Sequence, residues 1–471
     1  MKPTVNMHMV TGVGARLRSV ATGSRPGFAG FQREVAQLML GSAAGRFIAA
    51  AALPVITRLF APSDFQVFGV YMAVVTTVAI AACLRLEILI PLAKSEPEAS
   101  DLFMLSMLAA TAVCLGMTAL VCGWPDGVSR ALGVSSDSQW LPLLPVGVFG
   151  AAVYSACKYW ATRHRRFRSV AVSRVTQATA AAAVGVVAGL LGAGPVGLIL
   201  SGIVNLVAGC GRFLSDMLAS DRLGFGQPSA RQLQQTLCAH RRHAFFSTVE
   251  SLANVAGAQL PVLAVAAWSG AEAGHLAVAM QILVLPMALL GTGVGQVYLS
   301  RAAEARANGQ LAALTVDSMR PLVVAGIAPI LVAGLVAPVI VPVVLGAPWA
   351  RTGEMLLVMA PWTAMQIVVS PVSMAIYVTS HQRLMLALTL FGCILRLGAT
   401  IAVAWLGFPE WMVATLAWAS AVYYAVLLAV VLRITGTTWV EARSLGRPLA
   451  FAALLLCVVV GRGIVGSVSS P

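Results

Sequence analysis

Apolar runs of about twenty residues recur along almost the whole chain and are separated by short polar segments. A helix needs about 20 apolar residues to cross a bilayer, and the runs lack the alternating pattern of a membrane β-barrel strand. The pattern therefore predicts an all-α polytopic membrane protein with spans at 35–57, 66–91, 102–122, 140–160, 170–191, 195–214, 244–268, 273–299, 320–345, 353–379, 384–406 and 411–432. A thirteenth apolar segment at 448–468 either crosses the membrane or lies at its surface.

The spans divide into two sets of six. The longest inner connection, 215–243, separates the sets, and Pro54-Val55 near the end of the first span is matched by Pro261-Val262 near the end of the seventh. Internal repeats of this kind are common in transporters. We expect two six-helix bundles around a central cavity, with a basic tail at 1–34, an N-terminal lobe at 35–214, a linker at 215–243, a C-terminal lobe at 244–432 and an extension at 433–471.

Composition and charge agree with a membrane protein. Hydrophobic residues make up 59% of the chain and charged residues only 10%, which excludes a soluble globular protein, where about a quarter are charged. The net charge of +14 lies in short clusters between apolar runs, so it does not indicate nucleic-acid binding. Most of the 31 Lys and Arg residues fall on the side of the N-terminus. The positive-inside rule then predicts a multi-pass membrane protein with a cytoplasmic N-terminus.

No motif for a cofactor, a metal or ATP is found. The eight cysteines include no CxxC pair and the six histidines lack metal-ligand spacing. The glycine run at 291–295 lies in an apolar span without the Lys-Ser/Thr of a phosphate-binding loop. We therefore expect no cofactor and no direct use of ATP.

Two arginines, Arg46 and Arg396, lie near the middle of their predicted spans. A charge in the membrane costs about 2.5 to 3.5 kcal/mol even on lenient insertion scales. Each arginine therefore either contacts a substrate in the cavity or makes a buried ion pair or hydrogen bond that fixes helix packing. Arg85 and Glu87 lie in the second span. Because residues two apart point to different faces of a helix, we expect them not to pair with each other.

Other candidate residues lie near span ends. Each either faces the cavity or extends its charge to the lipid headgroups: Lys158, Arg174, Arg212 and Glu250. Arg58 and Asp64 flank Pro62 in the outer hinge, where a salt bridge or turn cap between them is expected to be structural. Pro54 is expected to kink the first helix beside this hinge.

Several motifs together resemble one family. The hinge reads PVITRLFAPSDF over 54–65, followed by LRLE at 84–87 and PLAKSE at 91–96. In the second half AGHLAVAMQ covers 273–281, LPM covers 285–287 and GQVY covers 295–298. These segments resemble bacterial polysaccharide flippases of the O-antigen exporter type. The family often has an arginine where this chain has Gln281.

The resemblance implies the fold of the multidrug, oligosaccharidyl-lipid and polysaccharide exporter superfamily, and a transporter rather than an enzyme. It implies as substrate an undecaprenyl-diphosphate-linked oligosaccharide, either an O-antigen unit or another surface polysaccharide, moved from the cytoplasmic to the periplasmic leaflet. Arginine suits a diphosphate because its planar guanidinium group can donate two parallel hydrogen bonds to phosphate oxygens. The candidate substrate contacts are Arg46, Arg85, Arg396, Arg174, Arg212 and Lys158, and the candidate carboxylates for proton or sodium coupling are Glu87 and Glu250.

Two other functions remain to be weighed. A drug or cation antiporter of the same superfamily usually has acidic residues in its cavity, whereas the deep charges here are mostly arginines. A membrane glycan polymerase or ligase commonly has a large periplasmic loop, whereas the longest outer connection here is 123–140. Flipping fits best, with membrane lipid and the polysaccharide polymerase or chain-length machinery as partners. The identity of the glycan and of the coupling ion stays open.

Overall fold

Helices form nearly all of the described part of the chain. The computed structural model describes residues 26–134, 139–218, 229–287 and 291–437, and no strand occurs among them. The N-terminal lobe consists of α1 (Pro26–Leu59), α2 (Pro62–Ala82), α3 (Glu96–Gly123), α4 (Pro125–Leu132), α5 (Leu143–Arg163), α6 (Phe167–Leu190), α7 (Gly194–Val207) and α8 (Cys210–Leu218).

The C-terminal lobe repeats this plan. It consists of α9 (Ala230–Ser269), α10 (Ala271–Pro286), α11 (Thr292–Ala307), α12 (Leu311–Leu322), α13 (Ala328–Leu345), α14 (Ala350–Val372), α15 (Ala375–Val378), α16 (Gln382–Trp405) and α17 (Met412–Thr435). Each lobe begins with a long helix that contains a proline, Pro54 in α1 and Pro261 in α9. The prediction of an all-helical membrane protein built from two bundles is confirmed.

The helices pass back and forth through the bundle. Ten helical segments of the described chain are long and apolar enough to cross a membrane. Helix α5 and the α10–α11 pair complete twelve passes, since each joins neighbouring segments at opposite ends of the bundle. We call the end with the α1–α2 turn at 59–62 the hinge end. The opposite end, where α9 starts at Ala230, is the linker end.

Helix boundaries differ from the sequence prediction in several places. Helix α1 starts at Pro26 and α9 at Ala230, so the limits expected at 34 and 243 fall inside helices. The limit expected at 432 likewise falls inside α17. Hydropathy detects only the apolar part of a helix, whereas these helices continue into polar sequence. The candidate segment at 448–468 lies outside the described residues.

Several of the predicted spans are not single α-helices, among them those expected at 66–91 and 273–299. In the span expected at 66–91, α2 stops at Ala82, and a short 3-10 helix, Leu86–Leu92, follows. Between them, Leu84 and Arg85 have φ angles of 51° and 57°. This left-handed region is rare for residues other than glycine, so the α-helix cannot continue there. The span expected at 273–299 is divided into α10 and α11.

Small residues allow α1 and α6 to pack closely. A β-carbon at Gly41 would lie 2.5 Å from the β-carbon of Ala171, and one at Gly45 would lie 2.8 Å from the carbonyl oxygen of Arg174. The two glycines are four residues apart and therefore share one face of α1. Close packing here brings Arg174 of α6 beside the part of α1 that carries Arg46.

The largest hydrophobic core joins the two lobes. It contains Phe65 and Tyr71 of α2 together with Leu276 of α10 and Trp349, which precedes α14. A second core lies within the C-terminal lobe. The lobes therefore share a packed interface, which continues to the hinge end.

Candidate functional site

A cavity of about 270 Å³ lies between α1, α2, α6 and α7 of the N-terminal lobe and α10 of the C-terminal lobe. Most of its wall is apolar or small. The lining residues are Arg46, Ala49, Ala50, Ala52, Leu53, Ile56, Phe65, Phe68, Ala178, Ala181, Ala182, Leu198, Ser201, Gly202, Asn205, Gln281, Ile282, Val284 and Leu285. Both lobes contribute to the wall, so a relative movement of the lobes would change the shape of the cavity.

Arg46 is the charged residue of this wall. Its side chain is exposed, and no hydrogen bond or ion pair to another described residue holds its guanidinium. Arg46 lies six residues after the start of the apolar part of α1 at Leu40 and thirteen before its end at Leu59, or about 9 and 20 Å along the axis. The structure thus puts an unpaired cation in the cavity at membrane depth.

Three neutral polar side chains share the cavity with Arg46. Gln281 of α10 lines it. Ser201 and Asn205 of α7 were not singled out from the sequence. Ser201 donates its hydroxyl to the carbonyl oxygen of Ala181 over 2.8 Å. The signal that could have found Asn205 is an amide side chain inside an otherwise apolar run.

A series of cations continues from Arg46 toward the linker end. Arg174 interacts electrostatically with both Arg46 and Lys158. Lys158 in turn interacts with Glu87 and Arg85. The guanidinium of Arg174 lies 5.4 Å from the ring centre of Tyr154, and the Lys158 ammonium lies 4.5 Å from that of Tyr159. Four of the six predicted substrate contacts therefore belong to one connected electrostatic group in the N-terminal lobe.

The expectation that Arg85 and Glu87 do not pair was wrong. Arg85 Nη1 lies 3.5 Å from Glu87 Oε1, with Glu87 almost completely buried. The expectation assumed an α-helix, where side chains two apart diverge. Here Arg85 has a left-handed backbone and precedes the 3-10 helix, which turns the two side chains together. Arg85 Nε and Glu87 Oε2 have no hydrogen-bond partner among the described residues.

Arg396 lies in a different environment from Arg46. Its guanidinium stacks on two tyrosine rings of α17, at 4.4 Å from the centre of Tyr423 and 5.5 Å from that of Tyr424. Its Nε and Nη2 atoms are buried and make no hydrogen bond to a described residue. Arg396 is absent from the lining of the cavity that contains Arg46. The structure therefore separates the two arginines that looked equivalent in the sequence.

The remaining predicted site residues also lie outside this cavity lining. Glu250 of α9 accepts a hydrogen bond of 2.9 Å from the Tyr377 hydroxyl of α15. Arg212 is exposed and lies 3.8 Å from Asp216, one turn further along α8. Within the described ranges, no group of three or more His, Cys, Asp or Glu side chains could hold a metal ion.

The predicted hinge residues have separate contacts. Asp64 Oδ2 accepts a hydrogen bond of 2.9 Å from the Ala61 N–H and so caps the start of α2. Arg58 instead reaches the other lobe, where its Nη2 donates to the carbonyl oxygen of Val343 over 3.2 Å. Pro54 lies inside α1, and its carbonyl oxygen accepts from the Thr57 hydroxyl. Thus Asp64 acts within the turn and Arg58 acts between the lobes.

The sequence profile of the polysaccharide biosynthesis protein family matches residues 55–354. The chain belongs to this family. The match includes the hinge, the paired charges after α2 and the α10 wall of the cavity. No curated protein matches the sequence.

Solved structures share the fold at low sequence identity. A lipid II flippase, MurJ, in an inward closed conformation has a TM-score of 0.68 at 11% identity, covering 92% of this chain and 97% of its own. An inward-facing multidrug resistance MATE transporter has a TM-score of 0.65 at 14% identity, and the match covers 85% of this chain and 95% of that one. A MOP superfamily transporter from Pyrococcus furiosus has a TM-score of 0.56 at 14% identity, and the match covers 86% of this chain and 96% of that one. That transporter is described as having a binding pocket of reverse polarity.

These comparisons agree with the resemblance noted in the sequence. The polysaccharide family and the exporter superfamily fold are confirmed. The structures that share the fold are transporters and flippases rather than enzymes. The chain is therefore a multi-pass membrane protein with the fold of these structures.

Proposed function

We propose that the protein is a flippase for an undecaprenyl-diphosphate-linked oligosaccharide, which it moves from the cytoplasmic to the periplasmic leaflet of the bacterial inner membrane. The distribution of Lys and Arg assigns the linker end to the cytoplasm and the hinge end to the periplasm. The two lobes open alternately toward these two sides, and the glycan is an O-antigen unit or another repeat unit of a surface polysaccharide.

One observation carries the proposal: Arg46 is a cation that pairs with no other described residue and lines a cavity formed by both lobes. A charge at membrane depth without a partner is costly, and in membrane proteins such residues usually mark a functional site such as a substrate pathway. Arginine remains ionised in this setting and can bond two phosphate oxygens at once. An anionic phosphate therefore supplies what the cavity lacks.

The same observation disfavours a drug or cation antiporter. A cationic ligand would meet Arg46 at the one charged position of the described cavity wall, and like charges repel strongly at low dielectric. No carboxylate lines this cavity. The polarity of the cavity thus supports an anionic substrate.

The other predicted residues take roles consistent with their positions. Arg174, Lys158 and Arg85 extend the positive potential from Arg46 toward the cytoplasmic side, where they attract the diphosphate before it reaches the cavity. Arg212 adds positive charge on the same side. Glu87 and Glu250 are the candidate carboxylates for proton or sodium coupling. Arg396, stacked on its tyrosines, stabilises the C-terminal lobe and contacts substrate only if the lobes rearrange.

The test is translocation by the purified protein in proteoliposomes loaded with a lipid-linked oligosaccharide. A glycosyl hydrolase or lectin added outside the proteoliposomes reports how much glycan reaches their outer leaflet. We expect the native protein to transfer glycan. The Arg46→Ala variant is expected to transfer glycan at least tenfold more slowly. Arg383→Ala is the matched control, because Arg383 is an exposed arginine outside the cavity lining. No transfer by the native protein would overturn the proposal.

A further inference from the structure

The cavity around Arg46 has two ends of different chemistry. Arg46, Asn205 and Gln281 lie thirteen, eleven and ten residues from the hinge-end termini of α1, α7 and α10. At 1.5 Å per residue these are distances of about 20, 17 and 15 Å along the helices. The charged residue and both amides therefore lie at one depth, near the middle of the membrane.

The part of the cavity nearer the hinge end is apolar. Ile56, Phe65 and Leu198 lie within four residues of the hinge-end termini of α1, α2 and α7, about 6 Å or less. Phe68 lies one turn further along α2. The linker side of the cavity thus has the cation and both amides beside the apolar Ile282, Val284 and Leu285, whereas the hinge side, about 10 Å away, has no charged or amide side chain among its lining residues.

The cavity is also small. Pockets that enclose a drug-sized ligand measure about 300–1,000 Å³, and this cavity measures about 270 Å³. An oligosaccharide with its hydroxyl groups would meet a wall of alanine, leucine, isoleucine and phenylalanine with few hydrogen-bond partners. Burying hydroxyls without partners is unfavourable. The cavity consequently suits an amphipathic portion of a ligand better than a sugar chain.

The direction of this polarity matches a lipid of the cytoplasmic leaflet. Such a lipid has its phosphate on the cytoplasmic side of its hydrocarbon chain. The polar end of the cavity lies on the linker side of the apolar end, and the linker end is the cytoplasmic one in the proposed orientation. A lipid phosphate at Arg46 would therefore direct its chain toward Ile56, Phe65 and Leu198 without turning over.

We infer that this cavity binds the junction of the substrate, with the phosphate nearest the lipid at Arg46 and the first isoprenoid units in the apolar end. This inference rests on the proposed flippase function and specifies which part of the substrate the site recognises. The glycan lies outside the cavity, toward the linker end. Recognition by this site then depends on the prenyl phosphate and is indifferent to the identity of the sugars.

A binding experiment with glycan-free probes tests the inference. The full chain is purified in detergent, and the affinities of farnesyl diphosphate, farnesol and inorganic diphosphate are measured by calorimetry. We expect farnesyl diphosphate to bind at least tenfold more tightly than either of the other two, because it alone occupies both ends. Arg46→Ala is expected to reduce its affinity at least tenfold.

Occupation of the cavity by the ligand is tested by a matched pair of variants. Ala49 lines the cavity, whereas Ala51 does not, and both are exposed alanines of α1. Ala49→Leu fills the cavity and is expected to weaken farnesyl diphosphate binding at least fivefold. Ala51→Leu adds the same volume outside the cavity and is expected to leave binding unchanged.

The outcomes separate the inference from the flippase proposal. If the protein translocates lipid-linked glycan but binds farnesyl diphosphate no better than inorganic diphosphate, the junction site is wrong and the flippase function stands. Equal loss of binding in Ala49→Leu and Ala51→Leu also overturns the junction site. Tight, Ala49-dependent binding of farnesyl diphosphate in a protein that translocates nothing supports the site and overturns the flippase function.

Discussion

The indole N–H of Trp349 donates a hydrogen bond of 2.8 Å to the carbonyl oxygen of Thr57. Trp349 belongs to the C-terminal lobe and Thr57 to α1, 292 positions away in the sequence. The Trp349 ring also meets Phe65 of α2 edge-on, at 5.0 Å between centres. A β-carbon at Gly274 would overlap the carbonyl oxygen of Pro62, so α10 also closely approaches the turn. The lobes are therefore joined at the hinge end.

This contact predicts that Trp349→Phe loosens the hinge end. Phenylalanine retains the apolar ring but cannot donate to Thr57, and a net loss of about 1 kcal/mol is typical for one hydrogen bond. We expect the open fraction at the hinge end to rise about fivefold. Labelling of a cysteine introduced at Leu345, which is buried near the hinge end, by a membrane-impermeant thiol reagent added on the hinge-end side measures this fraction. Trp405→Phe, at a highly exposed tryptophan, should leave the labelling unchanged.

Arg46 and Arg396 are expected to respond differently to truncation. Arg46→Ala removes an unpaired cavity cation, so transport is lost while thermal stability stays within a few degrees of the native protein. Arg396→Ala removes contacts with Tyr423 and Tyr424, worth about 0.5 to 2 kcal/mol or more for buried cation–π pairs. The melting temperature in detergent should therefore fall. Equal loss of transport in both variants at unchanged stability would contradict this separation.

The pairing of Arg85 with Glu87 predicts strong non-additivity between their mutants. Arg85→Met leaves Glu87 buried without its partner, which typically costs about 3 to 5 kcal/mol. The double variant Arg85→Met with Glu87→Gln removes both charges, and we expect it to recover most of that loss. Thermal unfolding of the four proteins of this cycle gives the coupling. If the losses of stability in the two single variants simply add in the double variant, Lys158 rather than Arg85 compensates the buried Glu87 carboxylate.

A second contact joins the lobes at the linker end. Thr236 donates its hydroxyl to Asp101 Oδ2 over 3.1 Å, and His240 Nε2 lies 3.2 Å from Glu98 Oε1. These residues connect the start of α9 with the start of α3. We expect the variant with Thr236→Val and His240→Phe to open this end more often. Labelling of a cysteine introduced at Ala99, which is buried at the start of α3, by a membrane-impermeant thiol reagent added on the linker-end side reports the change. Gln234→Leu, an exposed position of the same helix, is the control.

Arg46 and Arg396 show which properties of a site residue can be predicted from the sequence. Both arginines interrupt apolar runs at similar depth, and this pattern predicts that each needs a partner or a substrate. Which of these applies depends on the rotation of each helix and on its neighbours. Arg46 faces a cavity because α1 turns that face toward α7 and α10, whereas Arg396 faces the tyrosines of α17. Hydropathy along one helix contains no information about these contacts.

The sequence by itself determined the membrane class, the approximate number of passes within the described residues, the two bundles and the family, because hydropathy and local motifs are properties of continuous segments. Tertiary structure decided the contacts that define the site. Arg85 meets Glu87 because a left-handed turn ends α2, and Arg58 meets Val343 rather than Asp64 because the second lobe lies against the hinge. Such pairs depend on backbone turns and on residues hundreds of positions apart, so only the folded chain brings them together.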